Sequence, residues 1–168
     1  IILTLKNEGF LSYFVGGAVR DMLLDIEPKE IDIVTEADSD TVERIFKRTV
    51  SIGKQFGVIM VMLGENGFEV ASCRKDGEYK DGRRPESVTS GTFSEDVKRR
   101  DFTINGLLFD PLSYEIIDYE NGLIDLKNGL IRTIGNPEER FNEDHLRIMR
   151  AIRFACRFDF KIDDRVNI

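Results

Sequence analysis

Two carboxylates, Glu30 and Asp32, stand on either side of Ile31 in the stretch Lys29-Glu30-Ile31-Asp32-Ile33. In a strand, residues i and i+2 project to one face, so the pair points together while Ile31 and Ile33 enter the core. Two carboxylates side by side repel each other, and such pairs persist where a hard divalent cation lies between them. Upstream, Gly16-Gly17 separates the apolar Tyr13-Phe14-Val15 from a short helical run, Ala18 to Leu24. Glycines at a strand-to-helix turn let backbone N–H groups approach an anion at the positive end of the helix. Arg20 adds a guanidinium suited to clamp phosphate, and Asp21 orients it or caps the turn. An anion cradle followed by a cation site is the chemistry of a nucleoside triphosphate held with Mg²⁺.

These groups need a scaffold. Residues 1 to 11 read as the end of a helix closing at Gly9, before the strand Tyr13 to Val15. A capped amphipathic helix is predicted from Asp38 or Ser39 to about Arg48, with Val42, Ile45 and Phe46 at helical spacing. Gly57 to Leu63 and Phe68 to Arg74 read as a hairpin joined by Glu65-Asn66-Gly67. Its second strand puts Glu69, Ala71 and Cys73 on one face; Glu69 is either a third metal carboxylate or a solvent-facing glutamate. Lys75 to Thr92 has no apolar periodicity and reads as a mobile loop of the active-site-lid kind, with Arg83 and Arg84 in it. A short helix from Ser94 then feeds Arg99-Arg100-Asp101-Phe102-Thr103 and a buried strand, Leu107 to Phe109. Asp118 to Gly135 reads as a glycine-punctuated turn and two short strands, a brace in which Asp118 and Asp125 bond backbone N–H groups.

The last helix is predicted from about Asn142 to Phe158, with Ile148, Ala151, Ile152, Ala155 and Cys156 as its buried stripe. Away from the stripe lie Asp144, Arg147, Arg150, Arg153 and Arg157, with no acidic residue between Arg147 and Arg157. Like charges at helical spacing cost a few tenths of a kcal/mol each, which favours an anion nearby. Strands and helices that alternate early and hairpins that follow predict an α+β chain: a mixed sheet of about five strands with helices mainly on one side.

The string hydrophobic-Gly-Gly, residues 18 to 29, then acidic-hydrophobic-acidic resembles the active-site signature of polymerase-beta-like nucleotidyltransferases. GGAVRDMLL, IDIVT, RRDFTING and EDHLR together resemble the class II tRNA nucleotidyltransferase (CCA-adding enzyme) and bacterial poly(A) polymerase family. The resemblance covers nearly the whole chain. It implies the nucleotidyltransferase fold, with residues 1–138 as the catalytic head and 139–168 as the first helix of an all-helical neck, cut short. It implies transfer of CMP and AMP from CTP and ATP to the 3′ end of tRNA, with two Mg²⁺ ions held by Glu30 and Asp32. Gly16, Gly17, Arg20, Arg100 and Asp101 would contact the phosphates and sugar. Asp144 and Arg147 would bond the Watson–Crick edge of the base, with Arg150 and Arg153 reaching the triphosphate; His145 reads as a packing or surface residue. Glu30 stands where the family ordinarily has Asp, Gly106 replaces Ala, and Asp25 replaces Gly. Poly(A) polymerase, A-adding or CC-adding activity carries the same motifs, and a catalytically impaired nucleotide- or RNA-binding domain is the reading of another class.

Composition narrows the remaining classes. A net charge of −7 argues against nucleic-acid binding by bulk charge, so RNA contacts must be local. No apolar run approaches the roughly 20 residues that cross a bilayer, and no basic segment leads an apolar one at the N-terminus, which predicts a cytoplasmic protein. Cys73 and Cys156 match no zinc or redox spacing and read as reduced thiols. A start at Ile1 without Met and an end soon after a strong helix read as a fragment, with the apolar stripe of that helix partly uncovered.

Overall fold

The computed structural model describes residues 1–79, 82–83 and 85–165; Arg84 and the last three residues of the expected neck segment lie outside them. The chain runs α1 (Ile2–Asn7), β1 (Ser12–Val15), α2 (Gly17–Leu23), β2 (Asp32–Thr35), α3 (Ser39–Ile45), β3 (Thr49–Gly53), β4 (Val58–Leu63) and β5 (Asn66–Ser72). It continues through β6 (Arg74–Asp76), β7 (Val88–Ser90), α4 (Phe93–Lys98), β8 (Leu108–Asp110), β9 (Glu115–Ile117), α5 (Gly122–Lys127), β10 (Leu130–Ile131), α6 (Pro137–Glu143), α7 (Leu146–Phe158) and β11 (Lys161–Ile162). Among the described residues no helix is long and apolar enough to cross a membrane.

Seven strands, more than the five or so expected, form one sheet in the order β3-β4-β5-β2-β1-β8-β9. Within this sheet only β2 and β5 pair in parallel, because α3, β3 and β4 intervene and return the chain in the same direction. The strand period divides the core. Ile33, Ile59, Val61 and Val70 pack under α1 and α3, while Phe14 and Phe109 also meet the cluster built by Val19, Leu126, Ala151 and Phe154 of α2, α5 and α7. On the opposite face Val15, Val34 and Leu108 pack against Phe93 and Val97 of α4. Helices therefore cover mainly one side, as the α+β pattern predicts.

Several local expectations change. The hairpin β4–β5 turns at Gly64-Glu65, since Leu63 pairs with Asn66. Gly64 has φ +63° at the first central position of this two-residue turn, where a side chain is disfavoured. The stretch read as a mobile loop contains an antiparallel ribbon, β6 with β7, in register from Arg74↔Ser90 to Asp76↔Val88; neither strand alternates apolar residues, so its pattern was invisible. α4 begins one residue early because Thr92 and Glu95 form a reciprocal capping box. The brace holds a helix, α5, in place of the first expected strand, with β10 as the second: Asp118 accepts from the N–H groups of Glu120, Gly122 and Leu123 at the start of α5. Asp125 bonds side chains instead, the Thr103 hydroxyl at 2.6 Å and Arg132 at 3.0 Å.

The expected long terminal helix is two helices. Asp144 is extended (φ −146°, ψ 102°) between α6 and α7, and its Oδ1 accepts from Leu146 N at 3.0 Å. α6 crosses the position where the second domain was expected to begin. The buried face of α7 is also rotated, to Arg147, Ala151 and Phe154, while Ile152 and Cys156 are exposed. Counting aliphatic residues overlooked Phe154 and Phe158, whose rings bury more area than the isoleucines.

Candidate functional site

The central strands meet at one end of the sheet. Val15, the last residue of β1, lies opposite Asp32, the first of β2, and opposite Leu108, the first of β8. Glu30 is therefore outside the strand, in the exposed lead-in to β2, and not on a shared strand face as expected. Pro28 precedes the pair and donates no ladder hydrogen bond, and the chain joins β1 only at Asp32. The parallel register Ile33↔Val70, extended by one residue, sets Asp32 alongside Glu69.

The three carboxylates share one neighbourhood. Glu30, Asp32 and Glu69 line a cleft of about 300 Å³, and among the described residues none of them has an ion pair. Desolvation holds the Asp32 carboxyl above its usual range, Arg100 opposing and Glu30 adding to the shift. Glu69 is raised likewise by desolvation, then by Asp32 and Glu30. Oxygen donors with unanswered negative charge suit a hard cation such as Mg²⁺, which needs only one or two carboxylates beside substrate phosphates and water. Among the described residues no three acidic, His or Cys side chains converge into a complete metal cage.

Asp32 also faces a second cleft, of about 430 Å³, whose other walls are basic. At one end the chain turns through Gly16, with φ +72°, into α2. A Cβ at Gly16 would stand 3.2 Å from Arg100 Nη1, so the turn remains open to that guanidinium. Arg100 is held from behind by Asp96 Oδ2, 2.9 Å from its Nη2. Burial pushes the Asp96 carboxyl up, but Arg100 and Arg99 outweigh it and keep the group below its usual range. Asp101 accepts from Phe102 N and Asn105 Nδ2 through Oδ1 and from Arg150 through Oδ2.

α7 forms the far wall with Arg147, Arg150, Arg153 and Arg157, and Asp144 precedes it. The absence of acids among these arginines does not leave them unanswered. Arg150 meets Asp101 at 2.6 Å, Arg157 meets Asp21 at 3.0 Å and Arg147 meets Glu143 at 2.8 Å. Arg147 is buried and also donates to Arg140 O at 2.8 Å. Arg153 has no ion pair among the described residues and lies over the Phe154 ring at 5.6 Å. His145 is exposed, with Nδ1 2.8 Å from Phe141 O, and its backbone N–H donates to Gly82 O in the ribbon segment.

The basic cleft thus gathers Gly16, Gly17, Arg20, Asp32, Arg100, Asp101 and the α7 arginines together with Asp144. Glu30 and Glu69 stand on the adjoining cleft, across Asp32. Arg20, expected as a phosphate clamp, is 3% exposed and bonded to Asp21 and Asn105. Sequence reasoning missed Asp96, whose spacing to Arg99 and Arg100 (i+3, i+4) was a usable signal. It also missed Arg140, whose Nη2 donates to the carbonyls of Arg99 and Arg100 at the end of α4; nothing local marks that contact.

A family model described as the poly A polymerase head domain matches residues 12–132. The chain is 46% identical over 166 residues to a CCA-adding enzyme of Enterococcus faecalis, covering 98% of this chain and 41% of the relative. It is 47% identical over 165 residues to a CCA-adding enzyme of Oceanobacillus iheyensis, again over 98% and 41%. The fold superposes on the Bacillus stearothermophilus CCA-adding enzyme in complex with CTP with a TM-score of 0.89 at 38% identity, over 98% of this chain and 40% of that one. A tRNA nucleotidyltransferase complexed with a primer tRNA and an incoming ATP analog gives 0.80 at 32% identity, over 98% and 46%. The chain therefore spans about two fifths of the length of the curated relatives it matches.

Proposed function

Because this chain belongs to the poly A polymerase head-domain family, we propose that the whole protein is a nucleotidyltransferase that adds CMP and AMP from CTP and ATP to the 3′ end of tRNA. The observation that carries the reading is the basic cleft: one wall of arginines, one open glycine turn, and Asp32 on the boundary with an acidic lip. The turn N–H groups at Gly16 and Gly17, with Arg100, Arg150 and Arg153, hold the triphosphate, and Asp101 stands where a ribose hydroxyl would approach. Asp144 accepts and Arg147 donates at the base edge. Residues 1–138 form the head and 139–168 open the neck.

Glu30 and Asp32, with Glu69 as a third donor, would hold Mg²⁺, two ions in this reading. When bound, such ions ease deprotonation of the attacking hydroxyl and neutralise charge on the leaving pyrophosphate. The chain's own part is orientation: its arginines fix the phosphates, and the unpaired carboxylates fix the side from which the RNA 3′-hydroxyl arrives. The soluble, cytoplasmic setting of tRNA maturation suits a chain of this kind.

Full-length protein, a 3′-truncated tRNA, Mg²⁺ and each labelled triphosphate supply the test. CTP and then ATP incorporation, stopping at three residues, is the expected result. The family description favours one second reading, poly(A) synthesis, which gives long runs from ATP alone. No incorporation, with Glu30→Asp also silent, rules out transfer and leaves a nucleotide-binding domain.

A further inference from the structure

Arg20 lies in a closed ring of contacts that begins and ends on α7. Arg157 Nη2 donates to Asp21 Oδ2 at 3.0 Å, and Arg20 Nε and Nη2 donate to Asp21 Oδ1 at 2.8 and 2.5 Å. Arg20 Nη1 donates to Asn105 Oδ1 at 2.5 Å, Asn105 Nδ2 to Asp101 Oδ1 at 3.0 Å, and Arg150 Nε to Asp101 Oδ2 at 2.7 Å. Arg150 and Arg157 are two helical turns apart, with Phe154 between them. The Arg20 guanidinium sits 5.0 Å from the Phe154 ring and 4.8 Å from the Phe158 ring.

A guanidinium that grips an exchanging phosphate keeps its N–H groups toward solvent. All three nitrogens of Arg20 instead meet acceptors on the protein, and two aromatic rings of α7 lie against it. The turn accommodates this arrangement, since a Cβ at Gly17 would stand 3.4 Å from Arg20 Nη2.

We propose that Arg20 is a positioning residue that locks α7 to the Gly16-Gly17 turn, and that nucleotide selectivity depends on this lock. The inference rests on reading the cleft as a triphosphate site. Phosphates held at one end and a base read at the other are discriminated only while the two ends keep a fixed spacing; a floating α7 accommodates a wrong base at little cost.

The test uses full-length protein carrying Asp21→Asn, which keeps the side-chain shape and removes the charge shared by Arg20 and Arg157. Asp21 lies outside the cleft lining, so the change touches no substrate. Amide hydrogen exchange across Leu146–Phe158 should accelerate about tenfold, and selectivity for CTP over UTP should fall about tenfold. The inhibition constant of inorganic triphosphate should move by less than about twofold, because the phosphate-holding groups remain. If that constant rises in step with KM while selectivity and exchange stay as in the wild type, Arg20 is a direct phosphate ligand and the proposal falls. A uniform loss of kcat with unchanged selectivity and exchange also overturns it. Should Asp21→Asn fail to fold, Phe158→Leu, which takes one ring away from Arg20 and lies outside the cleft lining, must show the same pattern at about threefold, and unchanged selectivity there is decisive against the lock. A wild type that incorporates nothing defeats the functional reading alone; hydrogen exchange and calorimetric CTP-against-UTP binding still decide the lock.

Discussion

The two sides of Asp32 answer charge in opposite ways. Glu30, Asp32 and Glu69 have no ion pairs among the described residues, and Asp32 and Glu69 are held above the usual carboxylate range. Across the boundary, Arg100, Arg147, Arg150 and Arg157 each have a carboxylate from this chain behind them. The acidic lip is an unmet demand for a cation. The basic wall has its arginines oriented in advance, so an arriving phosphate meets guanidiniums whose ordering cost falls on the fold. In the proposed function a triphosphate meets the prepared wall, and metal would complete the unprepared one.

Four changes break or sharpen that contrast. Asp32→Ala, which touches both clefts, should lower nucleotide incorporation by about 10³-fold with the fold intact by circular dichroism; activity within tenfold of wild type would sink the role given to the lip. Asp96→Ala removes the buried partner of two arginines and should cost about 3 kcal/mol in urea unfolding, since it strands charge on the basic wall. A cost near zero there would mean that the wall is not braced from behind. Glu69→Gln distinguishes a third metal donor from a solvent-facing side chain: the first predicts roughly a tenfold rise in the Mg²⁺ concentration for half-maximal rate, the second no change.

The smallest effect concerns stability against pH. Asp32 and Glu69 have raised pKa values in the fold, so the stability they contribute is fully present below the unfolded carboxylate range and is lost as pH rises through the raised values. Asp32→Asn should therefore raise Tm at neutral pH by no more than about 2 °C, with the gain vanishing near about pH 4. In wild type, added Mg²⁺ should raise Tm and lose that effect as pH falls, because protons compete for the same oxygens. A Tm insensitive to Mg²⁺ across that range would show that the lip takes no cation.

Local pattern carried much of this. Gly16-Gly17 announced the turn, Asp38 capped α3 as expected and accepts from Thr41 N at 2.7 Å, and the Asn66-Gly67 signal announced the hairpin, although its turn falls at Gly64-Glu65. Those signals depend on dihedral preference, capping and period, which act within a few residues and so are written in the chain.

What the tertiary structure alone decided involves distance along the chain. Glu69 reaches Asp32 because two strands separated by α3, β3 and β4 pair in parallel. The acids that answer Arg150 and Arg157 come from 49 and 136 residues away, so a helix that looked starved of counter-charge is supplied by α2 and by Asp101. The face that α7 buries was settled by competition: Phe154 and Phe158 against Arg20 outweigh Ile152 and Cys156 once the sheet places α2 beside that helix. Periodicity ranks the residues of one element against each other, whereas burial and charge pairing rank them against every element that the folded sheet brings near.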